Sequence, residues 1–180
     1  VYVGNTNTDV GIVVADEIAI PATNVYATES GDLSSVDIVW DSPIPDDMPT
    51  WLYYGDGGIN VSIGTGSTTD FDVAIRYPAS ALTSYIGKSL QAVKVRIADP
   101  GNFSIRVWTG GNPTEPGSLI LDQPFVAEIG SYQTIVLNEP VMITGTEELW
   151  FGYNCNVAGG YPAGCDAGPA IDGYGNMMYF

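Results

Sequence analysis

The chain contains no histidine and only two cysteines, and it sets 5 lysines and arginines against 21 aspartates and glutamates. Histidine is the side chain whose unperturbed pKa lies near neutral pH, which makes it the usual general base and the usual metal ligand. Without it, Ser-His-Asp and Cys-His nucleophilic sites cannot be built, nor can a His-ligated zinc or iron centre. The shortage of cations argues against a nucleic-acid partner, because phosphate binding needs clustered Lys and Arg, and it disfavours anionic membrane surfaces. No apolar run approaches the length needed to cross a bilayer, and no basic-then-apolar leader opens the sequence. The numbered chain reads as a mature or excised piece.

What is present is a β composition: Gly, Tyr, Thr, Ser, Asn, Val and Ile dominate, with 45% hydrophobic and 14% charged residues in 180. A chain of this size buries roughly 70% of its unfolded surface and needs no staple to fold. Its hydrophobicity is too high for a disordered segment. The formal charge of −16 is unevenly spread, since Arg76, Lys88, Lys94, Arg96 and Arg106 all lie in one central stretch. Like-charge repulsion that favours solubility accounts for such a balance; the alternative is calcium, or an environment rich in divalent cations.

Apolar runs are short, β-branched or aromatic, and bounded by Gly, Pro, Asn or Asp. Val10–Ala15, Val36–Trp40, Phe71–Tyr77, Ala92–Ala98, Phe103–Trp108, Ser118–Asp122, Tyr132–Leu137 and Leu149–Tyr153 read as strands. Val93, Val95 and Ile97 alternate with Lys94 and Arg96; Ser104 to Trp108 repeats the pattern and is expected beside it in the same sheet. One short helix is expected over residues 78–86, opening at Pro78, stopping at Gly87 and burying Leu82, Tyr85 and Ile86. These elements give an all-β fold, an antiparallel β-sandwich of jelly-roll type with one short helix. The chain divides near residue 45: an acidic β-strand segment over 1–45, a linker over 46–50, and the sandwich module over 51–180.

Two resemblances add to this reading. Pro21 to Pro43, with Asn24-Val25-Tyr26-Ala27, the turn Ser30-Gly31-Asp32 and Val36-Asp37-Ile38-Val39-Trp40, resembles the first two strands of a fibronectin type III domain. The pieces Trp51–Gly57, Phe71–Tyr77, Ile105–Gly111, Glu148–Tyr153 and Gly160–Pro169 resemble, in order, a module of secreted and surface-anchored proteins of Bacteroidetes-type bacteria. That resemblance implies a non-catalytic β-sandwich, extracellular or at the cell surface, found beside adhesive or proteolytic domains. Such a module carries a further aromatic hairpin after the strand at Asn176–Phe180, whereas this sequence ends at Phe180. The expectation is an open sheet edge there, filled by the acidic segment 1–20 or by strand exchange with another copy.

Candidate sites are few. Cys155 and Cys165, ten positions apart in a Gly-rich segment, match no zinc knuckle or redox pair. A disulfide closing a small loop would contribute roughly 3 kcal/mol and imply an oxidising compartment; the alternative is two buried thiols. Asp166, Asp172 and Asn176 lie among glycines, as oxygen ligands for calcium do, although Asp and Asn beside Gly also form simple turns. Asp56 and Asn60 form a weaker pair of the same kind. Tyr161 and Tyr174 in loops, with Tyr53 and Tyr54, are the candidates for stacking on a glycan ligand, whereas Trp108 and Trp150 sit on strands and are assigned to the core. Glu147 and Glu148 are adjacent, point to opposite faces of a strand and make no glycosidase pair. Asn60-Val61-Ser62 and Asn102-Phe103-Ser104 match the N-glycosylation pattern. The expected function is a non-catalytic adhesion or interaction module of a larger secreted protein, with a surface protein or glycan as ligand. The alternatives are a glycan-binding accessory module and a fibre subunit that assembles by strand exchange.

Overall fold

A computed structural model describes residues 11–15, 23–29, 35–41, 50–55, 57–168 and 171–180. The described chain is all-β. Its strands in order are β1 (Gly11–Ala15), β2 (Thr23–Glu29), β3 (Val36–Asp41), β4 (Thr50–Leu52), β5 (Val61–Ile63), β6 (Thr69–Tyr77), β7 (Ser89–Arg96), β8 (Asn102–Asn112), β9 (Glu115–Phe125), β10 (Tyr132–Met142), β11 (Leu149–Val157), β12 (Ala163–Cys165) and β13 (Met177–Tyr179). They form a four-stranded sheet, β10-β7-β1-β4, and a five-stranded sheet, β13-β6-β11-β8-β9. The pairs β12-β5 and β2-β3 form two small sheets. All strand pairs are antiparallel.

The two larger sheets share one core because each strand alternates its side chains between faces. Phe71, Val73, Ile75 and Tyr77 from β6, Ile105 and Val107 from β8, and Phe151, Tyr153 and Cys155 from β11 point inward. They meet Val93 and Val95 from β7 and Ile135 from β10. Ser104–Trp108 and Val93–Ile97 therefore face each other across the core from different sheets, and do not share one as expected. The two patterns look alike because both are half-buried strands, and alternation alone does not say which sheet a strand joins.

The helical segment is a 3₁₀ helix over Ala79–Tyr85, not an α-helix, with Ala81 N donating to Pro78 O at 2.9 Å. Three residues per turn place Leu82 and Tyr85 on one face. Leu82 is buried and Tyr85 packs against the core, while Ile86 turns outward to lie over Gly145.

β1 comes from the acidic N-terminal segment and sits inside the four-stranded sheet, between β7 and β4. The segment does return to the sandwich, but to the sheet opposite β13, and the division near residue 45 does not separate β1 from the module. Residues 42–49, with most of the expected linker, lie outside the described residues, as do 1–10 and 16–20. The segment with fibronectin-like spacing supplies the hairpin β2-β3, in which Tyr26 pairs with Val39.

β8 and β9 form the longest hairpin, and it bends. Gly110 and Gly111 take φ of 72° and 103°, a region other residues enter at a cost. The strand runs on to Asn112, and the turn falls at Pro113-Thr114. Asn112 Oδ1 closes that turn by accepting from Thr114 N at 3.0 Å and from Thr114 Oγ1 at 2.8 Å.

Candidate functional site: a cleft on the outer face of the five-stranded sheet

The outward residues of the five-stranded sheet form three cross-strand rows. In the first, Arg76, Trp150 and Trp108 are direct neighbours on β6, β11 and β8. In the second, Met177, Ala74, Gly152, Arg106 and Asp122 run across all five strands. In the third stand Tyr179, Asp72, Asn154 and Ser104. The middle row is shallow because Ala74 and Gly152 are its central members. Gly152 has no room to be larger: a Cβ there would run into Val73 O and Ala74 Cα of the paired strand.

This shallow row, between two rows of large side chains, becomes a cleft of about 120 Å³. Trp108 and Trp150 line one side, Asp72 and Tyr179 the other, and Ala74 and Met177 lie between. The bent β8–β9 hairpin adds Thr114 and Pro116 as a further wall. Ala74, Trp108, Trp150 and Met177 form a buried apolar cluster separate from the sandwich core.

The two tryptophans are thus buried, as expected, but not in the core to which sequence reasoning assigned them. The parity of the strands held the signal. Ile105 and Val107 point inward, so Trp108 sides with Ser104 and Arg106; Leu149 and Phe151 point inward, so Trp150 points out.

Each end of the cleft carries a guanidinium already committed to carboxylates. Arg76 is buried and makes a two-point ion pair with Glu148: Nε donates to Oε2 at 2.7 Å and the second amino group to Oε1. Its guanidinium lies 6.0 Å from the Trp150 ring and 5.2 Å from that of Tyr174, and Trp150 Nε1 donates to Glu148 Oε2 at 3.3 Å. The hydrogen bond from Arg76 holds the Glu148 carboxyl below its ordinary range. At the other end, an amino group of Arg106 donates to both Asp72 oxygens at 2.8 and 3.0 Å, and its Nε donates to Asp122 at 3.1 Å. Asn154 Nδ2 donates to Asp70 at 2.6 Å and to Asp72 at 3.0 Å. Burial pushes the Asp72 carboxyl above its ordinary value, against the pull of Asn154 and Arg106. Three carboxylates against one guanidinium leave this end negative.

The sequence-predicted residues lie elsewhere and do not form one site. Tyr54 stacks on Tyr77 with ring centres 4.6 Å apart and donates its hydroxyl to Arg76 O at 3.0 Å. Burial raises its pKa to about 12. Tyr174 lies 5.7 Å from Tyr54 and covers Arg76. Tyr161 is exposed, its backbone N–H bound to Asp99 Oδ2 at 2.6 Å and its hydroxyl lying over Gly66. Tyr53 is also exposed. The four do not make a single platform.

The calcium candidates hold turns. Asp166 Oδ1 accepts from Gly168 N at 2.9 Å, Asn176 Nδ2 donates to Asp172 Oδ1 at 2.8 Å, and Asn176 Oδ1 accepts from Gly173 N at 3.1 Å. Among the described residues no three acidic or thiol side chains gather as a metal-ligand group. Asp56 lies outside the described residues, and Asn60 N donates to Cys165 O at 3.0 Å.

Cys155 and Cys165 are two buried thiols with no disulfide between them, a correction to the loop-closing bridge. Cys155 points into the core from β11 and Cys165 lies on β12. Burial pushes the Cys155 thiol far above its ordinary value, and Asp72 and Asp70 add to the shift. Such a thiol is inert.

Comparison of the chain with protein-family models, with curated proteins and with solved structures finds no match.

Proposed function

We propose that this chain is a non-catalytic interaction module, working outside the cell or at its surface as part of a larger protein, with the Trp108–Trp150 cleft as its contact point. One observation carries the reading. Two tryptophans and Met177 leave the sandwich core for the outer face, where they line a concave apolar space with a few polar groups, the form that binding sites take. The absence of histidine and the commitment of Glu148 to Arg76 support a binding role over a catalytic one. The extracellular setting and the jelly-roll path rest on composition and on the resemblance of residues 51–180 to surface modules; the thiols do not contribute to either.

The test is a nuclear magnetic resonance screen of the intact chain against glycans, amphipathic peptides and small apolar compounds. Binding at the cleft is expected to move the Trp108 and Trp150 indole signals together with the Ala74 and Met177 methyls, while Trp51 stays still. The variant Ala74→Phe, which fills the shallow row, is expected to abolish these shifts. Ligands that move only Tyr53 or Tyr161, and bind Ala74→Phe equally well, would overturn the assignment.

A further inference from the structure

We propose that the cleft takes a small alkylammonium group: a methylated ammonium head, or the ammonium end of a short aliphatic stem. The inference rests on the reading of the cleft as the contact point and names the chemistry of its ligand.

Size comes first. A single water needs about 10–15 Å³ of such space, so an open cleft of about 120 Å³ admits a group of several heavy atoms. Sugars need several polar groups to orient them. Besides the Tyr179 hydroxyl and the tryptophan indoles, the lining offers Asp72 and Thr114, and the Thr114 hydroxyl already donates to Asn112.

Charge decides the sign. An anion finds no unclaimed cation here, since Arg76 is paired with Glu148 and Arg106 with Asp72 and Asp122. A cation finds Asp72 in the wall with Asp70 and Asp122 behind it, against Arg106 alone. The Asp72 carboxylate has about four acceptor positions. Arg106 takes one on each oxygen and Asn154 one on Oδ1, so Oδ2 keeps a place for one more donor. Trp108, Trp150 and Tyr179 supply aromatic surface in the same cleft, and aromatic rings attract ammonium groups as well as apolar stems. An apolar lining with one unsaturated carboxylate is thus complementary to a group that is apolar along its length and cationic at its end.

The experiment titrates the intact chain with tetramethylammonium, n-butylammonium, 1-butanol and butyrate, following the indole signals of Trp108 and Trp150 and the methyl of Met177. The ammonium probes are expected to bind saturably with a Kd of about 1–10 mM, in keeping with ligands of five heavy atoms, and more weakly as salt is raised. Asp72→Asn should weaken them at least about tenfold and 1-butanol far less. Asp122→Asn, which removes charge outside the cleft wall, should weaken them less and serves if Asp72→Asn does not fold. If 1-butanol binds as well as n-butylammonium and salt has no effect, the ammonium proposal falls and the cleft stands as an apolar contact point. Preference for butyrate overturns the proposal in the same way. If no probe shifts the cleft signals, both the proposal and the contact-point reading fall.

Discussion

The side-chain amide of Gln123 binds the backbone of β10 where that strand bulges: Nε2 donates to Val136 O at 2.9 Å and Oε1 accepts from Asn138 N at 2.8 Å. Gln123 lies on β9, the edge of the five-stranded sheet, and Val136 on β10, the edge of the four-stranded one. The pairing of β10 with β7 shifts register between Val136 and Val141, so the backbone there loses its regular ladder partners. One buried amide replaces them and closes this side of the sandwich. Gln133 works in the same way nearby: its Nε2 donates to Val126 O and its Oε1 accepts from Glu128 N, both at 2.9 Å.

Replacing Gln123 by Leu keeps the volume but removes both part-buried hydrogen bonds to the β10 backbone, to Val136 O and from Asn138 N. A hydrogen bond contributes about 0.5–1.5 kcal/mol net, so losing the two in Gln123→Leu is expected to destabilise the fold by roughly 1–3 kcal/mol. Urea unfolding followed by tryptophan fluorescence measures it. A change below about 0.5 kcal/mol, the scale of an ordinary surface substitution, would show that water satisfies the bulge and that the amide is incidental.

What the sequence made legible follows from the same physics. Long half-buried strands announce themselves, and β6, β8, β10 and β11 lie where alternation of apolar and polar residues puts them. The three-residue strands β5 and β12 carry no period to detect; they pair with each other, and Arg96 lies against both, reaching Ser62 at 3.4 Å and packing on Gly164. Gly110-Gly111 reads as a turn because glycine marks turns; here it bends a continuing strand toward the cleft. Residue type alone points Trp108 and Trp150 to the core, whereas the parity of Ile105, Val107, Leu149 and Phe151 places them on the outer face. Gln123 and Asp72 carried no signal, because each owes its role to partners that no local pattern brings together.

The Arg76–Glu148 pair is expected to give the fold a dependence on acid. The Glu148 carboxyl lies below its ordinary value of 4.5 in the folded chain, chiefly through the hydrogen bond from Arg76. A depressed carboxyl contributes stability that is complete above its unfolded pKa and fades as pH falls through the folded one. Glu148→Gln, which leaves the buried guanidinium without its charge partner, is expected to lower stability at neutral pH by roughly 2–3 kcal/mol. That deficit should shrink as pH drops from about 5 toward 3, where the native chain loses the same interaction. Asp72 acts in the opposite sense: its carboxyl is raised, so acidification relieves the cost of its buried charge. Denaturant melts of both chains across this range make the comparison, and a deficit constant with pH would remove Glu148 as the titrating group.

The two thiols make a prediction about redox. Cys155 is buried between the sheets and Cys165 is buried on β12, and thiol reagents act on accessible thiolate, which burial suppresses at Cys155. Both cysteines are expected to resist a thiol-specific reagent in the folded chain and to react completely once urea unfolds it. Reductant should leave the melting temperature unchanged, because no bridge constrains the unfolded chain. The competing outcome is specific. Two thiols that stay silent even in urea, appear only after reduction, and bring a lower melting temperature with them would restore the loop-closing disulfide, and with it the argument for an oxidising compartment.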